Sequence, residues 1–394
     1  MVVVGGGVVG CAVAWKLAEK YSDVFLLEQM PKLGMGASSR NSGVLHSGIY
    51  YPPGSLKARH CVEGNRLTAE FCAAHNVPFR RTGKLVVAAT TGEEPRLAAL
   101  ARRGEENGVA GLRMLDRAEI RAREPHIEGR AALEVPSAGL VMSEELVKAY
   151  ARLARDLGAS VLTSAKVTRI EPAGDTITVT SALGEITTRC LINSAGLFAD
   201  DVAALAGNHR YQIFPVRGEY CEVVPAKTHL VRGLVYPLPH PQGLSLGVHL
   251  TKTLWGTLLV GPTARLIDSK TDYENNRYTP GDFAESARTL LPEISEEDLV
   301  LAYSGIRAKV RLPSSMQHSQ ASAGNAPAGQ AGKARQANNA EQAVSRDEWP
   351  DFVIERDPAH AGIIHLVGME SPGLTSAISL AIHVAAMVEE TLGA

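Results

Sequence analysis

The stretch Met1-Val2-Val3-Val4-Gly5-Gly6-Gly7-Val8-Val9-Gly10 decides the fold. Gly5, Gly7 and Gly10 carry the spacing G-x-G-x-x-G directly behind an apolar run. A helical stretch from Cys11 to Lys20 follows, and Val24-Phe25-Leu26-Leu27-Glu28 reads as a second strand ending in a carboxylate. In such a unit each residue has a physical task. Gly5 permits the tight strand-to-helix turn, Gly7 lets backbone approach a pyrophosphate, and Gly10 lets helix pack on strand. The helix N-terminus offers free N–H groups and a positive dipole end to phosphates. Glu28 stands where an acidic side chain holds adenosine ribose hydroxyls. A glycine pattern alone serves backbone geometry, but strand, helix, second strand and carboxylate together specify an adenine dinucleotide. Only Met1 to Val4 precede the turn, so the first strand is expected to be short.

Outward from that unit, 394 residues suffice for a large core and two interleaved domains. Hydrophobic residues make up 45% of the chain, as in an ordinary globular protein. A net charge of −2 provides no general attraction to nucleic acid or anionic lipid. Cys11, Cys61, Cys72, Cys190 and Cys221 lack C-x-x-C spacing and suit buried thiols in a reducing compartment, with no metal site expected. The apolar start is too short and glycine-rich to span a bilayer and lacks the marks of a signal peptide. A cytoplasmic location is therefore expected, with peripheral membrane contact left open.

Periodicity and turn residues predict helices over Ser55 to His75, Glu94 to Asn107, Arg117 to Arg123, Ser143 to Leu157 and Phe283 to Leu291, with Ser143 as an N-cap. Strands are expected over Phe79 to Ala89, Ala131 to Val141 (interrupted by Pro-Ser-Ala-Gly), Ser160 to Ile170, Glu185 to Ile192 and Ile363 to Val367. Alternation over Thr176 to Thr180 suggests a half-exposed hairpin. The strand-rich, Pro- and Gly-punctuated run from Gln212 to Val260 suggests an antiparallel sheet. Ser314 to Glu348 contains no Leu, Ile, Phe or Tyr and reads as a disordered surface insertion.

Three further signals bear on the cofactor. The loop Ser38 to Gly43, close behind Glu28, is built of small and hydroxyl residues that, with Arg40 and Asn41, could line a pyrophosphate and the edge of a flavin ring. Cys190 to Gly196 is a strand entering a small-residue turn, and His365 to Thr375 is a strand, a turn and a helix start. Together with Arg40-Asn41-Ser42-Gly43-Val44-Leu45-His46-Ser47-Gly48 and its continuation to Lys57, Arg217-Gly218-Glu219-Tyr220, Gly247 to Thr251, Gly305-Ile306-Arg307 and Glu370-Ser371-Pro372-Gly373-Leu374-Thr375, they carry a resemblance. The chain, apart from the insertion, resembles the D-amino-acid-oxidase-like FAD-dependent oxidoreductases, and within them the L-2-hydroxyglutarate dehydrogenases and oxidases.

The resemblance implies an α/β fold, α+β overall: a Rossmann-like FAD-binding domain built from discontinuous segments (1–78, 143–210 and 349–394), with an inserted antiparallel-sheet substrate domain (79–142 and 211–313). It implies FAD as cofactor. Gly5, Gly7, Gly10 and Glu28 would hold its ADP half, and Ser39, Arg40, Asn41, Ser42 and Gly43 would wrap the pyrophosphate and flavin side. Val167 would present backbone to the adenine, and Ala195 and Gly196 would pass close to the dinucleotide. Gly368, Glu370, Ser371, Pro372, Gly373, Leu374 and Thr375 would lie against the isoalloxazine. A helix starting near Leu374 would aim its positive end at that ring.

The reaction implied is oxidation of a small 2-hydroxy acid, L-2-hydroxyglutarate first, with hydride passing from the α-carbon to flavin N5. Glycerol-3-phosphate oxidation, amine or amino-acid oxidation and a non-catalytic flavoprotein are the alternatives. The electron acceptor could be oxygen, a quinone or a carrier protein. Arg307 is the favoured carboxylate clamp, because a guanidinium binds carboxylate bidentately, and Lys309, Arg217 and Tyr236 are weaker candidates. His46 and His249 are the candidate bases for the hydroxyl proton. Plainer readings stand beside these: either arginine could be an ordinary ion-pair residue and either histidine a structural hydrogen-bonding group. His46 could also correspond to a covalent flavin attachment point of amine-demethylating relatives. Lys57, Arg59 and His60 read as a solvated helix face, and Tyr50 and Tyr51 as flavin shelter or interdomain packing.

Overall fold

The computed structural model describes residues 1–239, 246–311 and 351–393. A six-stranded sheet is assembled from three distant parts of the chain, in the order Val353–Arg356, Ile363–Val367, Leu191–Asn193, Val2–Val4, Phe25–Leu27, Ser160–Leu162. All neighbours are parallel except the antiparallel edge pair Val353–Arg356 and Ile363–Val367. The first strand is short, three residues, yet it lies at the centre and pairs on both sides along its whole length.

A parallel sheet has both faces covered, and the pleat sorts its side chains accordingly. Val3, Leu26, Ile192 and Ile364 face the helices Val8–Ala18, Leu56–His75, Ser143–Asp156 and Gly373–Leu392. Val2, Val4, Leu27, Leu191 and Ile363 face the other way, onto an antiparallel meander of Val167–Ala173, Thr176–Ser181 and Gly184–Thr188. This near-universal burial explains why Val8–Ala18 carries hardly any polar face. All five cysteines are free and buried.

The second large sheet has nine strands, with Gln212–Val223 paired along most of its length to Leu299–Arg311. Leu258–Gly261, His249–Lys252 and Leu234–Pro237 continue it. The antiparallel expectation for this region holds with one exception: Leu234–Pro237 runs parallel to Leu85–Ala88. Leu85 and Val87 turn to a core containing Phe283 and Leu291, while Val86 and Ala88 turn to one containing Tyr50 and Tyr236. The latter face looks towards the first domain.

Four expected strands are in fact two each. Phe79 to Ala89 divides into Phe79–Arg80 and Leu85–Ala88 around Gly83, whose φ is +67°. Ala131 to Val141 divides at the interruption already expected there into Ala131–Glu134 and Gly139–Val141. Glu185 to Ile192 divides into Gly184–Thr188 and Leu191–Asn193. Ser160 to Ile170 divides at Ser164, with φ +55°, into Ser160–Leu162 and Val167–Ala173. In each case the halves join different sheets, which apolar runs alone do not reveal. Gly139–Val141, Phe79–Arg80 and Val44–Leu45 form a small sheet of their own between the two larger ones. Met142, rather than Ser143, is the cap of Ser143–Asp156, since Ser143 already has helical geometry and its hydroxyl turns to Glu144. Residues 314–348 lie outside the described residues. Among the described residues, no helix is long and apolar enough to cross a membrane.

Candidate active site

A cavity of about 850 Å³ runs from the opening glycine turn to the interface with the second domain. At its first end Gly5 adopts φ +104°, and a Cβ there would fall 2.6 Å from the Ser194 carbonyl oxygen. A Cβ at Gly10 would fall 1.9 Å from the Gly5 carbonyl, so only glycine lets helix and strand approach this closely. Gly7 lines the cavity, while Gly10 acts from behind it. Glu28 is buried on the wall and accepts the Gly6 N–H at 2.6 Å and the Met30 N–H at 2.8 Å. Those bonds fix both carboxylate oxygens, and each oxygen keeps a further lone pair able to accept a hydrogen bond.

The small-residue loop folds over the helix start. Ser38 accepts the Val8 N–H at 2.9 Å and faces the cavity with Arg40, Asn41 and Ser42. Ser39, by contrast, turns outward towards the Gly36 carbonyl, and Gly43 pairs with Val141. Gly43 is required by its φ of +67° and by the Val141 carbonyl, 2.7 Å from where a Cβ would sit. Both were expected beside the cofactor. They instead support a loop that lines the cavity with residues 34–38 and 40–42, including Ser38, which opens the stretch singled out in the sequence. Val167 belongs to the core under the sheet, and its neighbour Lys166 is the residue on the cavity wall. Ala195 and Gly196 line the cavity beside Gly5.

At the far end Glu370, Ser371, Pro372, Gly373 and Leu374 form the wall, and the helix Gly373–Leu392 starts there. Gly368 and Thr375 support this turn from behind. A Cβ at Gly368 would meet Val310 at 2.7 Å, and buried Thr375 accepts the His46 N–H at 2.9 Å. Glu370 pairs with Lys309 at 2.9 Å and Lys57 at 3.2 Å. Burial works to raise its carboxyl, but the two ammonium groups and Arg307 prevail and hold it at about 2. Lys57 is thus an inward ion-pair partner and His60 is buried against Ser379 at 2.8 Å, so this is no solvated face; only Arg59 is exposed. The apolar helix Gly373–Leu392 covers that side, and its position is a tertiary fact invisible in the local sequence.

The substrate candidates separate clearly. Arg307 lies on the cavity wall, donates to the Thr263 carbonyl at 3.3 Å and makes no ion pair among the described residues. Its space is made by Gly218, where a Cβ would lie 2.8 Å from Nη1. Arg217 is no clamp. Adjacent strand residues face opposite ways, and its fully buried side chain pairs with Glu219 at 3.0 Å and Asp272 at 3.4 Å behind the sheet. Lys309 reaches the cavity already committed to Glu370. Tyr236 is buried on the cavity wall, its ring stacked on His249 at 3.8 Å.

Both histidines reach the cavity and both are neutral. Burial lowers His249 to about 3, only partly opposed by its bond to the Gly247 carbonyl. That bond, Nδ1 to carbonyl oxygen at 2.9 Å, requires the proton on Nδ1 and leaves the lone pair on Nε2. His46 is lowered well below its ordinary value by burial and by Lys84 and His249. Its Nε2 lies 3.3 Å from Ser371 Oγ, and its Nδ1 has no hydrogen-bond partner among the described residues.

The glycine cradle, the oriented Glu28 and a cavity long enough to run on to the 370–374 turn fit an extended flavin dinucleotide better than a compact nucleotide. The family model for FAD-dependent oxidoreductases of the D-amino-acid-oxidase type matches residues 1–387. The chain belongs to this family. Among curated members it is similar to L-2-hydroxyglutarate dehydrogenase of Indibacter alkaliphilus, 33% identical over 346 residues and covering 78% of this chain and 87% of that one. The mitochondrial L-2-hydroxyglutarate dehydrogenase of Caenorhabditis elegans is 40% identical over 319 residues, covering 79% and 70%. Among solved structures, FAD-bound L-α-glycerophosphate oxidase of Mycoplasma pneumoniae superposes with a TM-score of 0.83 at 24% identity, covering 98% and 94%. Glycine oxidase of Geobacillus kaustophilus gives 0.76 at 20%, covering 99% and 94%. Those two likenesses establish the fold. As a member of this family the chain is an FAD-dependent oxidoreductase.

Proposed function

We propose that this flavoenzyme oxidises a small 2-hydroxy acid, L-2-hydroxyglutarate, to its 2-oxo acid. The observation that carries the reading is Arg307: a guanidinium on the cavity wall with no carboxylate of its own among the described residues. Such a charge is stable at an apolar interface when the ligand brings the counter-charge. The names of the curated relatives support the choice of diacid. FAD, when bound, supplies the acceptor for the hydride leaving the α-carbon.

Arg307 binds the carboxylate next to the reacting carbon and orients it. His249 takes the hydroxyl proton on Nε2, the nitrogen that its bond to Gly247 leaves unprotonated. A neutral imidazole this deeply buried is a weak base in the empty site. A bound carboxylate nearby raises its affinity for a proton and brings the transfer into range. His46 and Ser371 hold the wall around the same space. Tyr236 stacks on His249 and limits its rotation.

Anaerobic mixing of the FAD-loaded protein with L-2-hydroxyglutarate, glycerol-3-phosphate and glycine, followed by flavin absorbance, tests the reading. L-2-hydroxyglutarate should bleach the flavin fastest. Faster bleaching by glycerol-3-phosphate or glycine would overturn it, and so would the absence of bleaching by any of the three. Arg307→Ala should weaken the apparent affinity for the diacid about 100-fold, as expected for losing a charge-assisted pair worth roughly 3 kcal/mol. His249→Asn should slow flavin reduction far more than His46→Asn does.

A further inference from the structure

Beneath the aromatic floor of the cavity lies a cation that the reaction as described does not use. Lys84 is 2% exposed, and its Nζ has no hydrogen-bond partner among the described residues. It takes part in no ion pair there either. The ammonium sits 4.4 Å from the ring centroid of Tyr50 and 4.7 Å from that of Tyr236, and both tyrosines line the active-site cavity. We propose that Lys84 is a buried counter-charge for the substrate's carboxylates, acting through the Tyr50–Tyr236 floor, and that it takes up a proton when a dicarboxylate enters.

Two aromatic faces stabilise a cation, but far less than water does once the site is desolvated. With the cavity empty, burial lowers the ammonium to about 7. The groups facing it do not compensate. Cys61 of the helix Leu56–His75 is a neutral thiol whose ionisation burial opposes. His46 and His249 are neutral, and each is held so partly by the Lys84 charge itself. On the opposite side Lys84 borders a second cavity with Glu124 and Glu134. Glu134 is bound by Arg113 and Arg123, and Glu124 accepts the Arg232 N–H, so neither is paired to Lys84. The nearest uncompensated negative charge available to it is therefore a ligand's.

A dianion in the cavity raises the proton affinity of Lys84, because low-dielectric surroundings make charges separated by a ring layer interact strongly. The sign follows. Below about pH 7 the lysine is already charged and affinity is flat. Above it, binding must include proton uptake, and affinity falls as pH rises. This inference rests on the diacid reading, and the test separates the two.

The probe is glutarate, which has both carboxylates but no oxidisable hydroxyl, titrated into FAD-loaded protein between pH 6 and 8.5. The flavin spectrum reports binding, and calorimetry in buffers of different ionisation enthalpy counts protons. The expected result is net uptake at pH 7.5 and an affinity that falls about tenfold per pH unit once Lys84 deprotonates. Lys84→Met, which removes the charge and keeps the length, should bind glutarate about tenfold more weakly at pH 6. Its proton uptake should be abolished. It should also fold, since replacing an unpaired buried ion by an apolar chain is not destabilising. Glutarate binding by the unmodified protein without proton uptake overturns the inference and leaves the diacid reading standing. Uptake retained in Lys84→Met assigns the proton to a histidine and also overturns it. No glutarate binding at any pH removes the diacid reading and this inference together.

Discussion

Adding one methyl group at Gly218 should disable Arg307 as the proposed carboxylate clamp without touching its charge. Gly218 sits in the long strand Gln212–Val223, and its backbone does not need a left-handed conformation, so alanine is acceptable to the chain itself. The new Cβ, however, would lie 2.8 Å from Arg307 Nη1, 3.1 Å from Nη2 and 3.0 Å from Pro262 Cβ. Ordinary contact begins near 3.4 Å or beyond, so about half an ångström of relief is needed. Proline is rigid, and the guanidinium must give way. A shift of that size breaks the alignment of one of two parallel N–H···O bonds to a carboxylate, each worth roughly 1.5–3 kcal/mol. The expected effect of Gly218→Ala is a weakening of apparent diacid affinity by about 10- to 100-fold. The thermal midpoint should change little, since alanine in a strand recovers about 0.5–1 kcal/mol of chain entropy against a modest packing cost. The assay is anaerobic flavin reduction as a function of L-2-hydroxyglutarate concentration, beside a thermal melt and an FAD titration. Unchanged concentration dependence in a folded, FAD-loaded variant would refute the placement of Arg307 as clamp.

Other outcomes follow from the same geometry. Glu28→Ala removes the acceptor of the Gly6 and Met30 N–H groups and should raise the FAD dissociation constant at least tenfold, measured by flavin fluorescence; an unchanged constant would contradict its role. Gly64→Ala would place a Cβ 2.3 Å from the Thr375 carbonyl. The helix-propensity gain of about 1 kcal/mol should be outweighed by this backbone collision, so the melting temperature should fall, and a rise would show that the helices separate freely. His249 is held at about 3 by burial, below its ordinary value, so the unfolded chain binds the extra proton first. Stability should therefore be full above about pH 6.5 and decline as pH falls towards 3, and His249→Asn should reduce that decline in denaturant titrations.

The sequence by itself determined the dinucleotide end of the molecule. Gly5, Gly7, Gly10 and Glu28 act within one local strand–helix–strand unit, where spacing and residue type leave few other geometries. It also marked the loop around Arg40 and the turn around Ser371, because small residues and proline declare turns locally. The substrate end was legible only as a list of residue types. Arg217 and Arg307 are equally basic and both lie in strands, yet pleat and sheet packing direct one into a buried ion pair and the other to the cavity. Lys57 looked solvated until the helix Gly373–Leu392 and Glu370 were brought against it from the far end of the chain. Lys84 gave no signal at all. Its importance lies in an absence of partners, and partners are assigned by tertiary contact between segments more than a hundred residues apart, such as Lys84 with Tyr236. Local chemistry fixes what a short segment can bind, whereas burial and counter-charge depend on what the rest of the chain lays over it.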